Sequence, residues 1–217
     1  TIQIDGRSQG FHVDYFERFK GANPGAGAAN SDFIEGEPGS GGGGDPTGTV
    51  RIAIDAAADD WEENGGAGSS DLEMGDNGGQ QYVGLRFEGV DIGPDSVLVD
   101  AYIEFEALES NSGAAQFSIA IEDTESAAPY SAGNAPGGRS YVDEFVWTPG
   151  EWTEGETYRP PALRTLLENV VGANGVGDGE LGFLIDGIAG SRVAYPFGNA
   201  GGDAPELVLV FEDINIA

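Results

Sequence analysis

The sequence of 217 residues contains no cysteine, one histidine (His12) and one lysine (Lys20). Without cysteine the chain has no disulfides, no zinc–thiolate site and no thiol nucleophile. His12 belongs to no Asp, Ser or Cys pattern that would serve catalysis, and a lone histidine lacks the parts of a catalytic constellation. These absences exclude thiol catalysis and leave no histidine-based catalytic constellation.

Sequence motifs for catalysis are missing as well. The chain has no G-x-S-x-G elbow, no H-E-x-x-H pattern and no dinucleotide fingerprint. The glycine run at 41–44 is not followed by Lys and Ser or Thr, so it is not a phosphate-binding loop. A carboxylate pair for glycoside cleavage stays open, because Asp and Glu occur throughout the chain. We predict that the protein is not an enzyme.

Basic residues are scarce: 9 Lys and Arg stand against 38 Asp and Glu, giving a formal net charge of -29. Such a surface repels nucleic acid phosphates and anionic lipid. The chain also has no apolar run of membrane length. We expect neither nucleic acid binding nor membrane insertion. Two interpretations of the charge stay open, a solvated acidic surface adapted to salty water or carboxylate clusters that bind cations.

The most acidic segment predicts a cation site. Its candidate ligands are Asp59, Asp60, Glu62 and Glu63. Carboxylate oxygens are the ligands that Ca²⁺ prefers, although the spacing here matches neither an EF-hand nor an RTX-type repeat. An acidic loop without an ion is therefore the alternative. Ca²⁺ is the one cofactor that the sequence predicts.

The strongest structural pattern lies between Tyr82 and Ala107. Two runs of alternating apolar and polar residues flank a turn sequence, GPDS, at 93–96. The alternating apolar residues are Val83, Leu85 and Phe87, then Val97, Val99, Ala101, Ile103 and Phe105. Period two indicates strands with one buried and one solvated face. We predict that the two strands pair antiparallel within a β-sandwich.

The rest of the chain adds strands and one helix. Further patterns predict strands at 50–55, 71–74, 116–124, 142–147, 180–188, 191–195 and 206–214. The last strand is apolar in both phases, which predicts that both of its faces are covered. A helix is predicted over about 161–171, because its apolar residues share one face at helical spacing: Leu163, Leu166, Leu167, Val170 and Val171. The predicted class is an all-β, antiparallel sandwich with one short helix.

Residues 1–48 form a separate region ahead of a predicted domain at 49–217. Gly, Ala, Pro and Ser dominate 21–48, which is typical of a flexible linker. Before the linker, a strand-like segment carries the apolar residues Ile2, Ile4, Phe11, Val13 and Tyr15. A strand on such a linker can complete the sheet of a neighbouring subunit. It can equally fold back onto its own domain, and both alternatives stay open.

Aromatic residues in predicted loops are the candidates for contacts with sugars. They are Trp61, Trp147, Trp152 and Tyr158. An exposed aromatic ring can stack on the apolar face of a sugar ring. Tryptophan in folded proteins is usually largely buried, so loop anchors are the alternative interpretation of the same residues.

The order of features from about 50 to 213 carries a family resemblance. The segments are DDWEE at 59–63, DLE at 71–73, QYVGLRF at 81–87, AYIEF at 101–105 and APEL at 204–207. In this order they resemble a jelly-roll domain of secreted bacterial proteins, similar in layout to DNRLRE-type and carbohydrate-binding-module-like sandwiches. The resemblance implies a jelly-roll fold and an extracellular or cell-surface location, with which a chain that begins at Thr1 agrees. It implies no catalytic residues.

Two classes of function follow. The preferred one is a non-catalytic extracellular structural protein that polymerises with itself, as a filament or surface layer, by β-strand addition. This hypothesis accounts together for the start at Thr1, the strand-like N-terminal segment and the glycine-rich linker. The alternative is a carbohydrate-binding module that recognises an extracellular polysaccharide.

Overall fold

The computed structural model describes residues 48–76, 79–161, 163–171 and 175–212. The N-terminal segment predicted to serve assembly, with Ile2, Ile4, Phe11, Val13 and Tyr15, lies outside the described residues. The described part of the chain is a two-layer antiparallel β-sandwich with one short α-helix. The predicted fold class is therefore confirmed.

Eleven strands build the two layers of the described domain. They are β1 Gly48–Ala53, β2 Asp60–Glu62, β3 Leu72–Asp76, β4 Gln80–Ile92, β5 Leu98–Glu106, β6 Gln116–Glu122, β7 Tyr141–Trp147, β8 Thr157–Tyr158, β9 Val176–Ala189, β10 Ser191–Ala194 and β11 Glu206–Phe211. The smaller sheet has the order β1-β11-β5-β8. The larger sheet has the order β10-β3-β4-β9-β6-β7, with β2 paired to β4.

The core lies between the inner faces of the two sheets. Alternate residues of β4, β6 and β9 point inward from the larger sheet, as the period-two patterns predict. They meet alternate residues of β5 and β11 from the smaller sheet. The fully buried members include Leu85, Phe87, Phe117, Ile119, Phe183, Ile185, Ile103, Phe105, Leu207 and Leu209. The opposite phase of β4, β6 and β9 forms the outer face of the larger sheet.

The predicted pairing of β4 with β5 is wrong. β4 pairs with β2, β3 and β9 in the larger sheet, whereas β5 pairs with β11 and β8 in the smaller one. The GPDS turn at 93–96 therefore carries the chain from one layer to the other. Alternation reports that each strand buries one face, but it does not distinguish two neighbours in a sheet from two strands that face each other across a core.

The alternation predicted for the second run also fails at its start. Val210 pairs with Asp100 and Phe211 pairs with Leu98, so Val99 is left without a partner on β11. This arrangement is a β-bulge, which shifts the phase of the strand by one residue. As a result Leu98 is buried at 8% exposure, while Val99 is 43% exposed.

The helix α1 spans Leu163–Val170 and packs against β5, β6 and β7. Leu163, Leu166 and Leu167 are buried, which confirms the predicted apolar stripe. β11 lies between β1 and β5, and of the two apolar residues of its second phase, Val208 is fully buried and Val210 is half-buried. Among the helices that the structure describes, none has the length and apolar character needed to span a membrane.

The bulge makes a testable distinction between two adjacent apolar residues. We expect Leu98→Ala to lower the free energy of unfolding by about 2 kcal/mol or more, because a buried leucine is removed from the core. Val99→Ala should change it by less than about 0.5 kcal/mol, since that side chain is largely solvated. Urea unfolding of both variants measures the difference. Equal costs at the two positions would contradict the bulge.

Candidate functional site

The four predicted metal ligands do not converge on one point. Asp59 is buried and accepts a hydrogen bond from Arg86 Nη1 at 2.7 Å, and both side chains are less than a tenth exposed. Burial raises the pKa of Asp59, while the hydrogen bond from Arg86 opposes the shift. Glu63 is exposed on the outer face of the larger sheet, beside Gly137 and Tyr82. These two carboxylates serve separate local contacts.

Asp60 and Glu62 lie in the other phase of β2, opposite Leu85 and Val83, and are almost fully buried. Asp60 Oδ2 accepts a hydrogen bond of 2.6 Å from the backbone N–H of Phe197. Burial raises the pKa of Asp60 to about 6. Glu62 accepts a hydrogen bond from the backbone N–H of Glu73, and burial raises its pKa too. Both acids tie β2 to neighbouring segments.

Glu62 belongs to a different acidic cluster, with Asp71 and Glu73. One carboxylate oxygen from each of the three lies within 4.8 Å of the others. Within the described residues, these are the side chains whose spacing suits a cation. Three of the four predicted ligands are thus placed elsewhere. The binding of Ca²⁺ itself stays a prediction.

Three of the four aromatic residues proposed for sugar contacts belong to the core. Trp147 is 5% and Trp152 is 2% exposed. The ring of Trp152 stacks on Tyr158 at 4.8 Å between centroids and lies 6.1 Å from Trp147. The ring of Trp147 stacks in turn on Phe105 at 6.0 Å. The loop between β7 and β8 is therefore anchored by these rings, and neither tryptophan presents a stacking face to solvent.

Trp61 lies on the outer face of the larger sheet. It pairs with Gly84, so its side chain shares the face of Gly84 and of Tyr82, two residues earlier on β4. The ring is partly buried, and its Nε1–H is buried without a hydrogen-bond partner. Of the four predicted aromatic residues, Trp61 is the one that the structure places on this face.

The loop at 123–140, here called the covering loop, folds over part of the same outer face. Tyr130 is buried, and its hydroxyl lies 3.3 Å from the backbone oxygens of Leu85 and Phe183. A Cβ added to Gly84 would come within 2.6 Å of the Tyr130 ring, so glycine permits the close approach. Arg139 stacks on Tyr130 at 3.9 Å and binds Glu122 at 2.5 Å. The covering loop thus closes this end of the face.

The rest of the outer face is only partly covered, with both exposed and buried members, and we call it the open strip. It consists of Gln80, Tyr82, Ser118, Glu144, Val146, Leu184, Asp186 and Ile188. Val146 is 54% and Ile188 is 51% exposed. Gln80 Nε2 donates to Asp186 at 2.6 Å, and Ser118 Oγ donates to Glu144 at 2.7 Å. An open cavity of about 390 Å³ lies beside Gln80 and Ile188.

Sequence reasoning missed the open strip, although a signal for it was present. Tyr82, Val146 and Ile188 are apolar or aromatic residues in the solvent phase of strands whose other phase is the core. A residue of that kind is unusual when it is surrounded by polar neighbours. The local pattern does not show that these residues lie together, because the strip is formed by four strands, β4, β9, β6 and β7, whose order in the sheet is set by the fold.

Comparison with known proteins identifies no family for this chain. No protein-family model matches the sequence, and no curated protein matches it significantly. Among solved structures, the chain is similar to TmCBM61 in complex with β-1,4-galactotriose, at 10% identity, with 73% of this chain and 80% of that chain covered. The TM-score is 0.27, and at that value the likeness carries no argument about fold or function.

The buried acid Asp60 makes the stability of the domain depend on pH. Its pKa rises from 3.8 to about 6 in the folded state, so the fold holds the proton more tightly than the unfolded chain does. The resulting stabilisation is complete below about pH 4 and is lost as the pH rises through about 6. Asp60→Asn avoids this loss, and its stability relative to the parent should improve by up to about 3 kcal/mol between acid and neutral pH.

Urea unfolding between about pH 4.5 and pH 7.5 measures this difference for Asp60→Asn. Asp91→Asn, at an exposed position of β4, is the matched control because it removes the same negative charge from a chain of net charge -29. If both variants gain the same stability at every pH, relief of overall repulsion explains the effect and the burial of Asp60 does not.

Proposed function

We propose that this domain is a non-catalytic carbohydrate-binding module and that the open strip is its binding surface. The observation that carries the proposal is a continuous row of side chains across four strands of the larger sheet. Tyr82, Asp186, Ser118 and Val146 are successive cross-strand neighbours in that row. The proposed ligand is an extracellular polysaccharide, so an extracellular location is part of the proposal.

The length of the row suits an oligosaccharide. It crosses three gaps between strands, and at about 4.8 Å for each gap it spans roughly 14 Å. Ser118, in its middle, is buried at 8% exposure, whereas Val146 at one end stands in solvent. A short stretch of glycan can therefore lie across the strands over Ser118, in contact with the exposed Val146 at one end.

The chemistry of the row suits sugar rings. Pyranose rings have apolar C–H faces and polar hydroxyl edges, and binding sites for such ligands combine aromatic or aliphatic surface with a few placed polar groups. The strip supplies Tyr82, Leu184 and Ile188 for the apolar faces. Asp186 and Glu144 supply acceptors whose positions are held by Gln80 and Ser118.

The same geometry favours binding over hydrolysis. A glycosidase needs two carboxyl groups on one face, with one kept protonated near neutral pH. Asp60, the acid whose pKa is raised to about 6, lies in the core-facing phase of β2. It is therefore separated by the sheet from Asp186 and Glu144 on the outer face.

The decisive test is the removal of the tyrosine ring from the open strip. Glycans that bind the parent protein are first identified on an array and then titrated calorimetrically. Tyr82→Ala should weaken binding at least tenfold, which corresponds to about 1.4 kcal/mol, because the ring supplies stacking surface. The matched control is Tyr102→Ala. Tyr102 is a partly exposed tyrosine on β5 of the smaller sheet, beneath Arg159.

The control should retain the affinity of the parent. A protein that binds no glycan, or one whose binding is lost equally in Tyr82→Ala and Tyr102→Ala, would contradict the assignment of the open strip. The melting temperatures of both variants are measured alongside, so that a general loss of folding is recognised.

A second candidate function, self-assembly by strand addition, has one structural feature in its favour. β7 is an edge strand of the larger sheet, and Val142 and Val146 on it are 43% and 54% exposed. An edge with exposed apolar residues can accept a strand from another chain. Against this, Asp143 Oδ1 accepts a hydrogen bond from the N–H of Glu144, and both carboxylates lie on the edge strand.

Deletion of residues 1–19 tests this second candidate. If that segment pairs with β7 of a neighbouring subunit, the truncated protein should remain folded and become monomeric, because the donated strand is gone. Light scattering after size-exclusion chromatography measures the mass of both forms. A full-length protein that is already monomeric, or a truncated protein that still assembles, would refute strand donation by this segment.

A further inference from the structure

We infer that the open strip accepts glycans without anionic groups and rejects uronates and sulfated sugars. This inference rests on the proposed function and specifies its ligand class. It follows from two facts about charge: which acidic groups surround the strip, and where the arginines of the described domain are used.

Carboxylates lie both within the open strip and beside it. Asp186 lies within the row, and Glu144 projects from β7 and is exposed. Glu63 lies next to Tyr82, because its backbone N–H donates a hydrogen bond to the Tyr82 carbonyl. The side chain of Glu63 is exposed. A bound anion would therefore meet like charges at short range, in addition to the field of a chain with net charge -29.

Two arginines reach the outer face, and both donate hydrogen bonds to backbone carbonyls of the covering loop. Arg86 binds Asp59 and Glu88 and donates from Nε to the Ala127 carbonyl at 2.5 Å. Arg139 binds Glu122 and donates to the carbonyls of Ala128, Pro129 and Asn134. Their guanidinium groups are almost fully buried, at 6% exposure each. Neither is available to a ligand on the strip.

The other arginines of the described residues act elsewhere. Arg192 is 1% exposed and donates to the carbonyls of Gly113, Gly150 and Ser191. Arg51, on β1, binds Glu104 and Glu206 of the smaller sheet. Two more contact residues of β5: Arg159 lies over Tyr102, and Arg164 donates to the Val99 carbonyl. The described domain thus brings no cation to the open strip.

This distribution sets the ligand class. Proteins recognise carboxylates and sulfates through Arg or Lys, because an anion that leaves water needs a charge-assisted donor in return. The strip supplies mainly acceptors, the carboxylates of Asp186 and Glu144. Carboxylate acceptors suit the hydroxyl donors of an uncharged sugar. An anionic sugar would lose hydration and gain no compensating ion pair.

The experiment compares matched pairs of polysaccharides. Each pair is a polyuronate and the same polymer after chemical reduction of its carboxylates to primary alcohols, so that backbone and linkage are shared. We expect the protein to bind the reduced member of a pair at least tenfold more tightly than the polyuronate at low salt. Binding of the neutral form should change little between about 50 mM and 500 mM NaCl, because only charge interactions are screened.

A pair of variants that each introduce one cation tests the physical cause. Val146→Arg places a cation on the open strip and should increase binding of the polyuronate at least tenfold. Val99→Arg makes the same change at an exposed valine of the smaller sheet, 43% exposed, and should produce no increase. A matching gain in both variants, or none in Val146→Arg, would overturn the assigned cause.

The remaining outcomes separate this inference from the proposed function. If the parent protein binds polyuronate as tightly as its neutral form, the inference is wrong and carbohydrate binding stands. If the parent binds neither member of any pair and no neutral glycan on the array, both the proposed function and the inference are overturned.

Discussion

The described domain depends on three buried arginines in a chain that has few cations. Arg86 and Arg139 each neutralise a buried carboxylate, Asp59 and Glu122, and both of them, like Arg192, donate to loop carbonyls. Removing one partner of such a pair leaves an uncompensated buried charge, which is strongly destabilising. The guanidinium group suits this role because it has five donors and stays charged when buried. Loops that contain little apolar surface are held to the sandwich in this way.

The same contacts decide which surface is left for function. Tyr130 and Arg139 hold the covering loop against one end of the larger sheet, where Gly84 permits the close approach of the tyrosine ring. The opposite end of that face stays open and carries Tyr82, Val146 and Ile188. Because the arginines are committed to the loop, the open strip has acidic neighbours without a cation among the described residues. Loop anchoring and the proposed selectivity for uncharged glycans therefore have one physical origin.

Much of the fold could be predicted from alternation alone, because the period of the apolar pattern follows directly from strand geometry. The strands β3, β6, β7, β9 and β11 are predicted in this way, and the helix α1 is predicted from apolar residues at helical spacing. The predictions are wrong where the structure of a strand depends on which other strand it pairs with. The alternation predicts that β4 pairs with β5 and that Val99 lies in the core, and both predictions are wrong, because neither the layer of a strand nor a bulge changes the local pattern. The four candidate ligands of the predicted metal site are likewise not brought together, because Asp60 and Glu62 lie in the core-facing phase of β2, whereas Asp59 and Glu63 make separate contacts.

Composition and local periodicity suffice to predict the class of fold, the absence of cysteine chemistry and the strongly negative charge. Tertiary structure alone decided how the aromatic residues are used. Trp147 and Trp152 pack in the core beside Phe105, whereas Tyr82 lies on the outer face of the larger sheet. The physical reason is that the burial of a ring depends on what packs over it, and those neighbours come from strands far apart in the chain.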